Sequence, residues 1–173
     1  VHESDSIVSK MYTKPNKPFI DFIKKNISKE VVEQNKIIKK KITNVIFNNP
    51  KTKTTLEKYI HKEVRVSREK FIKKNTKNNN KIIFVDIPLL LENKLEKNFD
   101  LVICIISSKT NRRQRVLKNK KFTKTILNKI FNAQTSDKER RRRSQIIIYN
   151  NKTKKDFIFS VEKALIRLLK WEK

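Results

Sequence analysis

The apolar positions of this chain fall into short runs separated by long polar, lysine-rich intervals. The clearest run, Ile82 to Val85, leads into Asp86 and is stopped by Pro88. Proline offers no N–H to a neighbouring strand, and a short β-branched run ending at such a breaker predicts a strand buried on both faces. Phe99 to Ile106 predicts a second strand, and Ile146 to Asn150 a third. Helical spacing surrounds them. Ile7, Val8 and Met11 follow Ser4 and Asp5, either of which serves as an N-cap. Lys14 to Pro18 reads as a loop, because its two prolines block a helix. Residues 19–47 predict two short amphipathic helices. Phe19, Phe22 and Ile23 form one stripe, and Ile37, Ile38, Ile42, Val45, Ile46 and Phe47 the other. Lys51 to Lys77 predicts one long helix or two. Thr123 caps a helix running to Gln134, with Ile126, Leu127, Ile130 and Phe131 inside. Lys155 to Trp171 closes the chain as a helix, with Phe157, Val161, Leu165, Leu168 and Leu169 facing inward.

Strands alternating with helices predict an α/β fold, a doubly wound parallel sheet with helices on both faces. Ligands of such sheets sit outside the carboxyl ends of the strands, which is where Asp86 lies. Two readings of Asp86 stand at this point: a residue facing a bound nucleotide or its magnesium ion, and a cap for the next helix.

Composition changes the picture in three ways. A length of 173 residues suits a single domain, 1–173, yet apolar content is only 36% and the net charge is +27. Such a charge points to a polyanionic partner, or to a genome rich in A and T, whose codons favour Lys, Asn and Ile. The lysines are scattered rather than gathered in one segment, so nucleic acid is not the expected partner. Lys138 to Ser144 is the densest cluster and reads as a solvated helix face. Glycine is absent, where an average chain of this length holds about a dozen. Tight turns therefore fall to asparagine, at Asn48–Asn49, Asn78–Asn80 and Asn150–Asn151, and the chain contains no glycine-rich phosphate loop. The single cysteine, Cys104, sits in an apolar run as inert packing, and His2 reads as a surface residue. No apolar run approaches about 18 residues, so a soluble, cytoplasmic protein without a membrane partner is expected. The first residue is valine, which suggests a non-standard start or a fragment.

The stretch 85–93, Val-Asp-Ile-Pro-Leu-Leu-Leu-Glu-Asn, resembles the signature of the dephospho-CoA kinases, which perform the last step of coenzyme A synthesis. Other segments follow the family pattern in order. Ser4 to Val8 resembles its Asp-containing motif, whose aspartate is the catalytic base; the resemblance assigns that role to Asp5. Leu56 to His61 resembles a Leu-Glu-x-Ile-x-His-Pro segment, with Lys62 in place of the proline. It implies an acceptor-substrate region over about 13–80, with His61 and Arg65 meeting the substrate phosphates together with Arg68. Asp86, Pro88, Leu89 and Glu92 of the signature are likewise implied to lie at the substrate. Residues about 109–143 resemble the lid. Arg115 matches the first arginine of an Arg-x-x-x-Arg pair, and the second falls on Asn119, where Lys118 or Lys120 would have to substitute. Ala133-Gln134 matches the family, and Arg140 falls where the family carries a basic residue directed at nucleotide phosphate. Ser144 and Gln145 replace Ala-Asp before the third strand, and Asn150, retained, is implied to lie near the adenine.

The resemblance implies a P-loop kinase-like fold with a helical substrate insertion, a monomer, and transfer of phosphate from ATP to the 3′-hydroxyl of dephospho-CoA. Magnesium would be the cofactor, bridging the ATP oxygens, with no dedicated protein metal site. Asp5 would be the catalytic base, and Arg115 a catalytic and ATP-binding residue together with Arg140 and Asn150. The family begins with a central strand and a glycine-rich loop that this sequence does not contain. Two alternatives stay open here: an inactive truncated remnant of such a kinase, and a small basic RNA-binding protein.

Overall fold

A computed structural model describes residues 1–118 and 123–170, apart from the side chains of residues 124 and 126. The expectations placed on Asn119, Lys120, the Ile126 side chain and Trp171 lie outside what is described. The chain divides into two compact units, Val1–Pro88 and Leu89–Lys173.

The first unit opens with a strand, β1 (His2–Glu3), that sequence periodicity does not signal. It runs straight into α1 (Ser4–Thr13). Ser4 and Asp5 are therefore not caps: Glu3 holds the cap position without a side-chain bond, and Asp5 lies in the first turn. A carboxylate there still favours the helix, because it faces the positive end of the macrodipole. β1 pairs in parallel with β4 (Val85–Asp86), with His2 opposite Val85 and Glu3 opposite Asp86. The expected strand at Ile82–Val85 is thus shorter than its apolar run. It is also not covered on both faces, since Ile82 and Phe84 are exposed.

Two helices precede the long one. Asn16 accepts from the Phe19 amide and Pro18 sits in the first turn, so Pro18 helps open α2 (Lys17–Asn26), while Pro15 stays in the connection before the cap. Past a 3₁₀ turn at Lys29–Val31, the segment expected to be helical forms an antiparallel hairpin, β2 (Val32–Glu33) and β3 (Lys36–Ile37). Its two-residue loop has Gln34 and Asn35 at φ 47° and 60°, the paired left-handed geometry that suits hairpin twist. Then follow α3 (Lys39–Asn48) and, capped by Asn49 with Pro50 at its start, the 28-residue α4 (Pro50–Lys77). The core of this unit collects Phe19, Ile23, Val31, Ile37, Ile42 and Leu56. Tyr59 of α4 stacks on both Phe22 and Phe19 of α2, with centroids 3.9 and 5.5 Å away. Full burial of side chains such as Phe19 and Ile23 contributes about 1.5–3 kcal/mol each. Phe47, expected on the inner stripe, is 85% exposed.

The second unit starts with a run of turns, where Leu89 and Lys94 adopt φ of 54°, and a 3₁₀ turn at Glu96–Asn98. Of the positions expected to supply left-handed turns, Asn79 does so at φ 55°. β5 (Ile103–Ile106) and β6 (Ile146–Tyr149) pair in parallel, from Ile103 opposite Ile146 to Ile106 opposite Tyr149. Between them lie α5 (Lys109–Leu117), α6 (Lys124–Ala133) and the short α7 (Asp137–Arg142). Thr123 stands at the start of α6, its carbonyl accepting from the Leu127 amide. α8 (Lys154–Leu169) begins with a reciprocal Thr153–Asp156 capping box. It packs Phe157, Val161 and Ala164 on Ile146 and Ile148 of β6. The inner stripe is therefore centred on Ala164, and Leu165 and Leu169, expected inside, are exposed. Among the described residues no helix is long and apolar enough to cross a membrane.

Candidate active site

In the first unit the candidate chemistry gathers at the carboxyl ends of β1 and β4. The register puts Glu3 beside Asp86, and the Ser4 hydroxyl donates to the Asp86 carbonyl at 2.8 Å. Asp5, one residue further, is thereby held at the same strand ends as Asp86, and both carboxylates are exposed. His2 anchors this arrangement from below. It is 4% exposed, not a surface residue: pairing in β1 turns its ring onto Phe71 of α4 at 5.6 Å, and Nε2 lies 3.2 Å from Ser67 Oγ. Burial, reinforced by the charge of Arg68, holds its pKa below 6.5. His61 and Arg65 lie one turn apart on the exposed face of α4, and Arg65 is 3.8 Å from Glu69. Pro88 is exposed just past β4.

In the second unit the signature continues into an ion-pair network. Leu89 is half exposed, with its carbonyl taking the Asn93 amide and side chain. Glu92 accepts from the Thr135 amide at 2.8 Å and lies 3.6 Å from Arg140. Burial works to raise the Glu92 pKa, but the Thr135 hydrogen bonds and the Arg140 charge outweigh it, leaving the carboxyl below 4.5. Arg140 also donates to Gln134 at 3.2 Å and to Asp137 at 3.4 Å. Asp137 in turn takes both of its oxygens to Arg112 of α5, at 2.9 and 3.1 Å. The basic cluster is therefore not a uniformly solvated face. Arg140 and Arg143 turn inward, Arg143 donating to the Leu91 carbonyl and from Nε to Glu96 at 3.0 Å, while Arg142 stays outside with Glu139. The Arg143 hydrogen bond lowers the Glu96 pKa. Burial pushes the Cys104 thiol up, in keeping with a packing role.

Arg115 and Asn150 meet directly. The guanidinium donates to the Asn150 carbonyl at 2.9 Å and to its side chain at 3.2 Å, with Ser107 Oγ at 3.5 Å. Beside them a polar pocket of about 230 Å³ is lined by Asn111, Gln114, Arg115, Lys118 and Asn151. The Asn151 side chain takes the Ser108 amide at the start of α5, so the loop after β6 is tied to that helix. Gln145, where the family pattern has aspartate, accepts from the Val102 amide at 2.8 Å and serves the sheet.

Sequence reasoning missed Asn111, Gln114 and Asn151 at the pocket, and Arg112 and Asp137 in the network. Their signal was partly available, because positions 111, 114, 115 and 118 share one face of a helix by their spacing. Nothing in spacing connects Arg112 to Asp137. Among the described residues no group of three His, Cys, Asp or Glu side chains is placed to hold a metal ion.

Comparison with known proteins shows what the chain as a whole is similar to. A family model described as dephospho-CoA kinase matches residues 3–156. A dephospho-CoA kinase of Rickettsia prowazekii is 31% identical over 156 residues, covering 84% of this chain and 78% of the relative. One of Bartonella henselae is 28% identical over 169 residues, covering 95% and 85%. Among solved structures, the dephospho-CoA kinase of Campylobacter jejuni superposes with a TM-score of 0.69 at 24% identity, covering 96% of this chain and 83% of the other. A Thermus thermophilus structure gives 0.70 at 18%, with the same coverage. These likenesses show the fold to be the α/β P-loop kinase fold expected from the sequence.

Proposed function

The chain belongs to the dephospho-CoA kinase family, and from that premise we propose that it transfers the terminal phosphate of ATP to the 3′-hydroxyl of dephospho-CoA. The observation that supports this most is the parallel register of β1 and β4, which sets Asp5 beside the end of the signature strand. Asp5 accepts the proton of the attacking hydroxyl, a role that requires an exposed carboxylate within hydrogen-bond reach. His61 and Arg65, on the solvent face of α4, meet the phosphates of the acceptor, and Pro88, exposed just past β4, shapes its seat. Arg115, held by Asn150, and Arg140, held by Glu92, present guanidinium groups to the ATP phosphates. Within these 173 residues there is no glycine and hence no glycine-rich phosphate loop, and the ATP-phosphate contacts proposed for this chain are those of the two guanidinium groups. The pocket beside Arg115 and Asn150 is polar and suits the adenosine end of ATP.

Asp86 fits magnesium. Its carboxylate is exposed, and this ion takes oxygen ligands while relying on substrate phosphates and water rather than on a cage of protein groups. When bound, magnesium supplies neutralisation of the triphosphate charge. We read the protein as a monomer working in the cytoplasm.

The test is an assay for coenzyme A formed from dephospho-CoA and ATP. The unaltered chain is expected to turn over, and Asp5→Asn to lose about two to four orders of magnitude in kcat. Undiminished turnover by Asp5→Asn would remove the base assignment, and a lack of any ATP-dependent product would remove the reading.

A further inference from the structure

Two arginines of the second unit share one carboxylate. Asp137 binds Arg112 of α5 through both oxygens and reaches Arg140, one turn along α7, through one of them. All three side chains are largely withdrawn from solvent, with exposures of 29%, 24% and 16%. Arg112 is further constrained by lying over the Phe131 ring of α6, 5.4 Å from its centroid. One aspartate thus links α5, which carries Arg115, to α7, which carries Arg140.

Two guanidinium groups this close repel each other, and without a shared counter-ion their long side chains would diverge. Glu92 and Gln134 restrain Arg140 from its other side, so Asp137 supplies the part of the restraint that comes from α5. We propose that Asp137, by bridging Arg112 and Arg140, is a positioning residue that aims Arg140 at nucleotide phosphate. Arg112 is its obligatory partner. This rests on the kinase reading, since it presumes that Arg140 meets ATP. The role is indirect: Asp137 is anionic, and its effect on phosphate runs through the arginine it holds.

The experiment uses the full chain and compares Asp137→Asn, Asp137→Glu and Arg112→Gln with the unaltered protein. It measures KM for ATP, KM for dephospho-CoA, kcat, the Kd of ATP by calorimetric titration, and Tm. Asp137→Asn is expected to raise both KM and Kd for ATP by about tenfold, the size of effect a charge-assisted hydrogen bond carries. KM for dephospho-CoA should stay within about twofold on the same grounds, since Asp137 has no part in the acceptor region. Asp137→Glu should restore most of the ATP affinity, and Arg112→Gln should reproduce the Asp137→Asn effect. The double variant should add little to either, because residues that act as a unit are not additive. Unchanged ATP affinity in Asp137→Asn overturns the proposal. So does an equal loss for both substrates with a fallen Tm that glutamate does not rescue, which marks a purely structural ion pair. If the unaltered chain binds ATP without forming coenzyme A, the kinase reading fails while Asp137 is still judged on Kd. If it binds no ATP, both fall.

Discussion

Single residues here take their character from partners far along the chain. Glu92 is part of a sequence signature, but its carboxyl is set by the Thr135 amide and Arg140, at 2.8 and 3.6 Å. Because its folded pKa lies below 4.5, its stabilising contribution is complete above 4.5 and is lost as pH falls through the lower folded value. His2 behaves alike for a different reason. Burial favours its neutral ring, so its contribution is complete above 6.5 and is lost as pH falls through its depressed folded pKa. The two windows are separable. Thermal melts across the acid range should show that Glu92→Gln flattens only the limb below 4.5, leaving the one that begins near 6.5. A variant with an unchanged acid limb would show that Glu92 carries no linked stability.

At the scale of elements, residues that mark a turn also mark a helix start. Asn49, expected in a tight turn, caps α4, and Pro50 is that helix's first residue. The pair Asn16 and Pro18 was read as a loop, yet it opens α2, because proline without an N–H is as welcome in a first helical turn as it is unwelcome later. Replacing Asn16 with alanine should cost about 1 kcal/mol in a denaturant titration, since the Phe19 amide loses its acceptor. No change in midpoint would mean that water replaces the cap at no cost. The hairpin at Val32–Ile37 was illegible for a related reason: its turn uses Gln34-Asn35 where glycine is the usual mark. A chain with no glycine hides its turns.

For the whole molecule, a net charge of +27 means that most surface charges repel one another. Among the described residues, the ion pairs that oppose this are local, such as Lys41 with Glu33 and Arg142 with Glu139. Screening at physiological ionic strength acts over about 8 Å and weakens the long-range repulsion more than the contact pairs. Thermal melts should therefore show Tm rising as salt is added from low ionic strength, and a falling Tm would show that the pairs dominate.

The sequence by itself determined the strands β4, β5 and β6 with most of the helices around them, the family, and the candidate residues, because periodicity and a collinear signature are local properties of a chain; β1 and the β2–β3 hairpin were not legible in it. Only the tertiary structure decided which of these residues meet. Ser4 bonds Asp86 across 82 positions, Arg115 bonds Asn150 across 35, and Arg112 bonds Asp137 across 25. The same holds for His2, whose burial follows from pairing β1 with β4, and for Arg140, turned inward within a run of arginines that looks uniform in sequence. Such contacts leave no periodic trace. They arise from strand register and from the balance between desolvating a charge and pairing it, and that balance is struck only when distant segments come together.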